Sequence, residues 1–288
     1  MELRVLNYFL MIAREENITR AAELLHVSQP TLSRQIARLE EELGVKLFTR
    51  QSHKISLTES GLLLRRRAEE MRQLSDKIFD EMSEDNQELT GQIAIGSGEF
   101  LSMNELAELI VKFHKKYPLV TFDFQSGNSK DIESGVERGL IDLALLVEPV
   151  NTEKYEFVRI NQQEHWGVLT RNDSNLASLK QITPQDLEDE SIILSKGPSM
   201  QSELRHWLGD SFEKVKIVSY YNLLYNSVIL AKKGLGSVLC LDLEASYEGM
   251  TFVPLQPALT YSSVLAWKAD QISSKSVTTF VEFAKKYL

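Results

Sequence analysis

The chain changes texture at Gly91. Before it, apolar residues recur at helical spacing, interrupted once near residue 50. Beyond it, short apolar runs that read as strands alternate with helical segments. One layer architecture does not accommodate both patterns, so the chain divides into a helical head and an α/β body. Its 288 residues suffice for two or three domains, and 43% hydrophobic with 25% charged residues is ordinary for chains with a buried core. The longest apolar run, residues 8–13, is far shorter than the ~20 residues of a bilayer-spanning helix, and no membrane partner is expected. Glu2, Arg14, Glu15 and Glu16 stand where a secretory signal needs basic and then small residues, so a cytoplasmic location is expected. The single cysteine, Cys240, excludes an internal disulfide and a cysteine-cluster metal site. In its apolar run it reads as a buried structural thiol.

The net charge of −9 is unevenly spread. Residues 1–67 carry 11 basic and 8 acidic side chains, so the head is mildly basic and the rest of the chain carries all the excess acid. A basic head on an acidic body suggests two tasks in one chain, and the acidic body keeps the whole surface from adhering to polyanions.

Within the head, Leu3, Leu6, Leu10 and Ala13 share a helical face. Asn17 or Thr19 can cap a second helix through Leu25, and Ser28 a third, with Pro30 tolerated in its first turn. Leu32, Ile36, Leu39 and Leu43 form the apolar face of that third helix, and Gly44 is a stop signal. Residues 46–50 and 54–57 read as two short strands around the turn Gln51-Ser52-His53. From Thr58 a helix is expected to run to about Leu89. In it Leu64, Ala68, Met71, Ser75, Ile78 and Met82 form a heptad seam with one polar position. A long helix with so narrow a stripe needs a partner, most simply a second copy of the chain. In the body, strands are expected at 93–96, 120–124, 141–147, 166–169, 191–194, 215–219, 237–241 and 264–267, with helices between them. That alternation implies parallel sheets in two lobes.

Two helices joined by the tight turn His26-Val27-Ser28 form a helix-turn-helix layout. Pro30, Ser33, Arg34 and Ala37 point away from the apolar face of the third helix, so its outward side is small, hydrogen-bonding and cationic. Ser28, Gln29, Thr31, Ser33 and Arg34 can supply base-edge or phosphate contacts, and the helix start itself favours phosphate. Arg50 and Lys54 would flank the groove as a wing. Arg65, Arg66 and Arg67 either reach flanking backbone or form a solvated basic face. A plain helical domain with a polar surface explains any one of these residues, but DNA binding explains the combination better.

The segment from Phe9 to Leu64 resembles the LysR-type transcriptional regulators. The resemblance rests on Ala21-Ala22, Leu25, Ser28-Gln29-Pro30, Ser33-Arg34-Gln35, Leu39-Glu40, Leu43-Gly44, Leu47-Phe48, Arg50 and Leu57-Thr58 with Gly61. It continues more loosely through Gly91, Ile95-Gly96, Tyr117-Pro118, Gly139 with Ile141-Asp142, and Gly234 with Gly236. It implies a winged helix-turn-helix domain at 1–58 and a linker and dimerisation helix at 59–89. It further implies a two-lobed α/β effector-binding domain, like a periplasmic binding protein, at 90–288, with lobe I at about 90–161 and 266–288 and lobe II at about 162–265. Promoter DNA, a small-molecule effector, RNA polymerase and further copies of the chain, as homodimer or homotetramer, are the implied partners. No metal or other cofactor is expected.

By the same resemblance, Gln29, Pro30, Ser33 and Arg34 match recognition-helix positions, and Arg50 and Lys54 the wing. His53 departs from the arginine that many relatives carry. The effector site should lie between the lobes. Ser97, Gly98, Glu99, Ser195, Lys196 and Ser199 stand at its helix starts, Gln125, Asn128 and Val147 line the first lobe, and Tyr225 closes the second. Glu99 is the departure: it could repel an anion, pair with Lys196, accept from an amine or hydroxyl, or cap its own helix. Three other readings compete: a catalytic body, a periplasmic solute-binding protein, and a body serving only assembly. No Ser-His-Asp signature, phosphate loop or metal-ligand spacing supports catalysis. His165 reads as a packed or surface residue.

Overall fold

The structure is a computed structural model that describes residues 1–51, 54–82, 88–269 and 273–288; at 50, 51, 54, 80, 81 and 198–200 only the backbone is described. It divides into two compact units, Met1–Ser83 and Glu84–Leu288.

The first unit begins with α1 (Leu3–Glu15), α2 (Ile18–Leu24) and α3 (Gln29–Leu43). It continues with β1 (Phe48–Gln51), β2 (Lys54–Leu57) and α4 (Glu59–Met82). The starts of α2, α3 and α4 each find an acceptor nearby. The Asn17 side chain accepts from Arg20 N, and Ser28 Oγ from Thr31 N. Thr58 Oγ1 accepts from Gly61 N at 2.9 Å and donates to Lys46 O at 2.6 Å, tying α4 to the base of the hairpin. Gly61 is required there, because a Cβ would stand 2.2 Å from Leu47 O. Gly44 closes α3 with φ +69°, a left-handed conformation that suits glycine.

The core of this unit joins Leu6, Phe9 and Ile12 of α1 to Ala21 and Ala22 of α2 and to Leu32, Ile36 and Leu39 of α3. Two sequence expectations change. Leu43 is not on the buried face; it is 39% exposed, and Glu40 is buried instead. The Glu40 carboxylate accepts from Lys46 Nζ at 2.6 Å, Leu47 N at 2.9 Å and Phe48 N at 3.4 Å, so it clamps the hairpin onto α3. The linker helix stops short of Leu89: residues 88–90 are not helical, and Leu89 packs on the core of the second unit. Residues 83–87 of the expected linker, and Ser52 and His53 of the turn, lie outside the described residues.

The second unit opens with β3 (Gly91–Ser97), α5 (Met103–Lys116), β4 (Val120–Ser126), α6 (Ser129–Glu137) and β5 (Leu143–Val147). Then follow β6 (Tyr155–Arg171), β7 (Ser191–Ser195), α7 (Pro198–Leu208), β8 (Lys216–Tyr221), α8 (Leu224–Lys232) and β9 (Ser237–Leu241). β10 (Met250–Pro254), β11 (Thr260–Lys268) and α9 (Lys275–Tyr287) complete it. The strand order is β4-β3-β5-β11-β6-β9-β7-β8, with β10 also paired to β6. β3 pairs in parallel with β4 and β5, and β7 with β8 and β9, but β6, β10 and β11 run antiparallel to their neighbours. The sheet is therefore mixed rather than parallel throughout.

Strands covered on both faces alternate between two cores. Ile93, Ile95, Leu143, Leu145 and Leu265 face α5 and α9, whereas Ala144, Leu146, Val264 and Ala266 face α6. The second lobe repeats this with Ile192, Leu194 and Leu239 on one side and Ile193, Val238 and Cys240 on the other. β6 belongs to both lobes, pairing with β11 from Tyr155 to His165 and with β9 and β10 from Trp166 onward. Val264 and Leu265 pack in the first lobe, so the return crossing lies before Val264 rather than at Ala266.

Burial opposes ionisation of Glu40, but the hydrogen bonds from Lys46, Leu47 and Phe48 and the Lys46 charge outweigh it and hold its carboxyl below the ordinary 4.5. Glu40→Ala is expected to destabilise the first unit by ~1–3 kcal/mol in urea unfolding of the whole chain. A lowered folded-state pKa stabilises fully above the unfolded value and is lost as pH falls through the folded one. The gap between wild type and Glu40→Gln is therefore expected to shrink as pH drops below about 4.5.

Candidate functional site

In the first unit, the outward side of α3 carries the polar residues singled out by sequence. Ser28, Gln29, Pro30 and Arg34 are exposed, and Thr31 and Ser33 half-buried. Their polar groups bond mainly to one another. Ser28 Oγ and Thr31 Oγ1 are 2.8 Å apart, Gln29 Nε2 donates to Ser33 Oγ at 3.0 Å, and Arg34 Nε donates to Pro30 O at 3.4 Å. These bonds position the groups at the surface and leave them open to exchange for contacts with a nucleic acid. Arg50 and Lys54 lie on paired strands, with Arg50 opposite Ile55 and Lys54 opposite Gln51; their side chains lie outside the described residues. Arg65 and Arg67 pair with Glu69 and Glu70 on their own helix.

Only part of the α4 seam is free. Ala68 is buried and Leu64 partly buried against the first unit's own core. Met71, Ile78 and Met82 are exposed, the last two at 55% and 78%, and Phe79, missed in the sequence reading, is exposed beside them.

In the second unit, a cavity of about 350 Å³ opens between the lobes. Gly98, Glu99, Asn128, Val147 and Ser195 line it, as expected. Ser97, Gln125, Lys196 and Tyr225 do not. Ser97 is buried with its hydroxyl on Gly98 O, and Gln125 donates to Asp123. Lys196 and Tyr225 are exposed outside the lining, because strand ends and helix faces turn them outward. The Ser199 side chain lies outside the described residues. Sequence reading missed Phe100, Trp166, Tyr221, Leu224, Leu241 and Leu243, which give the cavity its apolar and aromatic character, and Lys130 and Glu133, which add charge. No motif links these residues; the fold alone gathers them.

Two carboxylates serve helix starts at this place. Glu164 is fully buried. It accepts from Leu101 N at 2.8 Å and Ser102 N at 3.0 Å, at the start of α5, and from Ser263 Oγ at 2.9 Å. Glu99 crosses between the lobes, and its Oε2 accepts from Leu224 N, the first residue of α8. It caps a helix of the opposite lobe rather than its own, and no ion pair joins it to Lys196 among the described residues. Negative charge at a helix start is favourable, so this bond favours the observed lobe arrangement.

Cys240 lines the cavity yet is buried. Tyr221 donates to Leu239 O at 3.0 Å, and burial, with Cys240 and Glu99 nearby, raises its pKa well above the usual value.

The LysR-family helix-turn-helix model matches residues 3–62, and the LysR substrate binding domain model matches residues 86–288. The chain belongs to the LysR family. It is similar to YybE, an HTH-type transcriptional regulator of Bacillus subtilis, at 34% identity over 75% of this chain and 73% of the relative. It also resembles HcaR, the Hca operon transcriptional activator of Escherichia coli, at 30% identity over 83% and 81% of the two chains. Full-length CbnR in complex with its target DNA superposes with a TM-score of 0.77 at 21% identity, covering 100% of both chains, a likeness of fold. This LysR-type regulator thus combines a helix-turn-helix DNA-binding domain with a substrate-binding domain, the arrangement typical of effector-modulated DNA binding.

Burial, as the largest influence, raises the pKa of the Cys240 thiol well above its usual value. In thiol titration of the whole chain, Cys240 is expected to stay unreactive until denaturant is added; prompt reaction in the folded protein would contradict its placement.

Proposed function

We propose that this LysR-type regulator binds an inverted-repeat promoter site as a homo-oligomer, and that a small molecule held between the lobes modulates the binding. The observation that carries the DNA reading is the division of α3. Leu32, Ile36 and Leu39 are buried, while Ser28, Gln29, Pro30 and Arg34 are exposed at the helix start. A helix anchored along one side can lay its other side in a major groove, where Gln and Arg read base edges and free N–H groups meet phosphate. The exposed Met71, Ile78, Phe79 and Met82 of α4 support self-association through that helix, since apolar side chains repeated along one stripe gain by burial against another copy.

The cavity supports the effector part of the reading. It is concave, largely apolar and bounded by both lobes, the usual character of a small-molecule site. A ligand that favours one lobe arrangement over another shifts the population, and the linker helix carries that shift to the DNA-reading domains.

Arg34→Ala is expected to weaken operator binding by ~1–3 kcal/mol at fixed salt, with the fold and oligomer unchanged by circular dichroism and sedimentation. Near-normal affinity would remove Arg34 from the DNA contact. Ile78→Glu is expected to shift sedimentation toward a smaller species; an unchanged oligomer would place self-association elsewhere.

A further inference from the structure

We propose that the effector of this regulator carries a protonated amine, or a cationic group of similar size, seated on Glu99. The proposal rests on the reading of the interlobe cavity as the effector site and names the chemistry that site selects. Helix starts around a cleft are ordinarily places for an anion. Here two of them are already supplied with carboxylates by the chain itself. Glu99 serves α8 across the cleft, and Glu164, fully buried, serves α5. The start of α6 is also occupied, since the Asn128 side chain accepts from Asp131 N at 3.1 Å. At those three starts an incoming carboxylate would have to displace a bond that exists. At the start of α7, where Ser195 and Gly197 line the cavity and no side chain caps the helix, it would enter a cavity that, among the described residues, sets Glu99 and Glu133 against one basic lining residue, Lys130.

A cation meets the opposite conditions. Glu99 bonds to Leu224 through Oε2, and its Oε1 has no hydrogen-bond partner among the described residues. An ammonium can therefore bind Oε1 without breaking the contact between the lobes. Phe100, Trp166 and Tyr221 line the same cavity, and aromatic rings attract a cation that meets their faces. Trp166 is 3% exposed and lines the cavity, and its indole N–H is buried without an acceptor. A buried donor left unpaired is costly, so a ligand that reaches this N–H with an oxygen or ring-nitrogen acceptor, as well as seating its amine, gains by pairing it. Leu224, Leu241 and Leu243 leave an apolar surface for the body between those two groups.

The experiment uses the full chain and a graded series of arylalkylamines bearing an ether or hydroxyl acceptor, each matched by the carboxylate and the alcohol of the same skeleton. Binding is read by calorimetry and by the shift in melting temperature. The expected result is binding of amines in preference to their matched carboxylates. Glu99→Gln is expected to weaken amine binding at least about tenfold, the scale of one charge-assisted hydrogen bond. Because Glu99 also joins the lobes, Glu133→Gln, at an exposed position on α6, provides a second variant that keeps the fold. It is expected to weaken amines by a smaller factor and to leave the alcohols unchanged. Leu243→Trp adds bulk to the cavity lining while leaving both acids in the sequence, and is expected to abolish binding of every series. Stronger binding by the carboxylates, amine affinity indifferent to both acidic variants, or no binding by any amine overturns the proposal. If carboxylates bind and Leu243→Trp abolishes it, the cavity reading stands and only the cationic class fails. If binding survives Leu243→Trp, the cavity reading itself fails.

Discussion

The first N–H groups of a helix have no partner within the helix, and the way this chain satisfies them organises both units. In the DNA-binding unit the acceptors are local: Asn17 for α2, Ser28 for α3 and Thr58 for α4. Local caps fix the turn between α2 and α3 and so fix which side of α3 faces out. In the effector domain Asn128 and Ser274 serve α6 and α9 locally, but two other acceptors are distant. Glu164 reaches α5 from the strand that runs through both lobes, and Glu99 reaches α8 from the opposite lobe. Distant caps tie segments together, and the second of these ties the lobes.

That difference explains what each unit can do. The head is a rigid support for a polar face, with Leu32, Ile36 and Leu39 held in a core shared with α1 and α2, and the hairpin clamped by Glu40. The effector domain has two core clusters in each lobe, one on either side of the sheet, with β6 and β11 carrying the chain between the lobes. The Glu99 bond to α8 crosses between the lobes, so a shift of one lobe against the other would change it.

The helical head was legible because its determinants are close in sequence. Apolar spacing set α1 and α3, Ser28 and Gly44 marked the ends of α3, and one short polar turn set the hairpin. Leu43 was misplaced because spacing alone does not register that Glu40 has backbone N–H groups of Leu47 and Phe48 waiting for it. In the body, strands with both faces buried stood out as apolar runs. The first half of β6 did not, since Glu156, Asn161 and Gln163 interrupt it and its pairing with β11 joins residues about a hundred positions apart. The cavity was half legible: Gly98, Glu99, Asn128, Val147 and Ser195 follow from strand ends and helix starts. Trp166, Tyr221, Leu241 and Leu243 come from strands and a loop whose arrival there depends on the mixed sheet.

The central claim is that occupancy of the interlobe cavity changes how this regulator holds its promoter DNA. The direct measurement is the affinity of the full-length protein for an operator recovered by mapping its bound genomic sites. It is made at one salt concentration, with and without a saturating ligand of the cavity. The account predicts that the ligand changes operator affinity in wild type and leaves a cavity-filled variant unaffected. An operator affinity identical with and without a ligand known to occupy the cavity would contradict it.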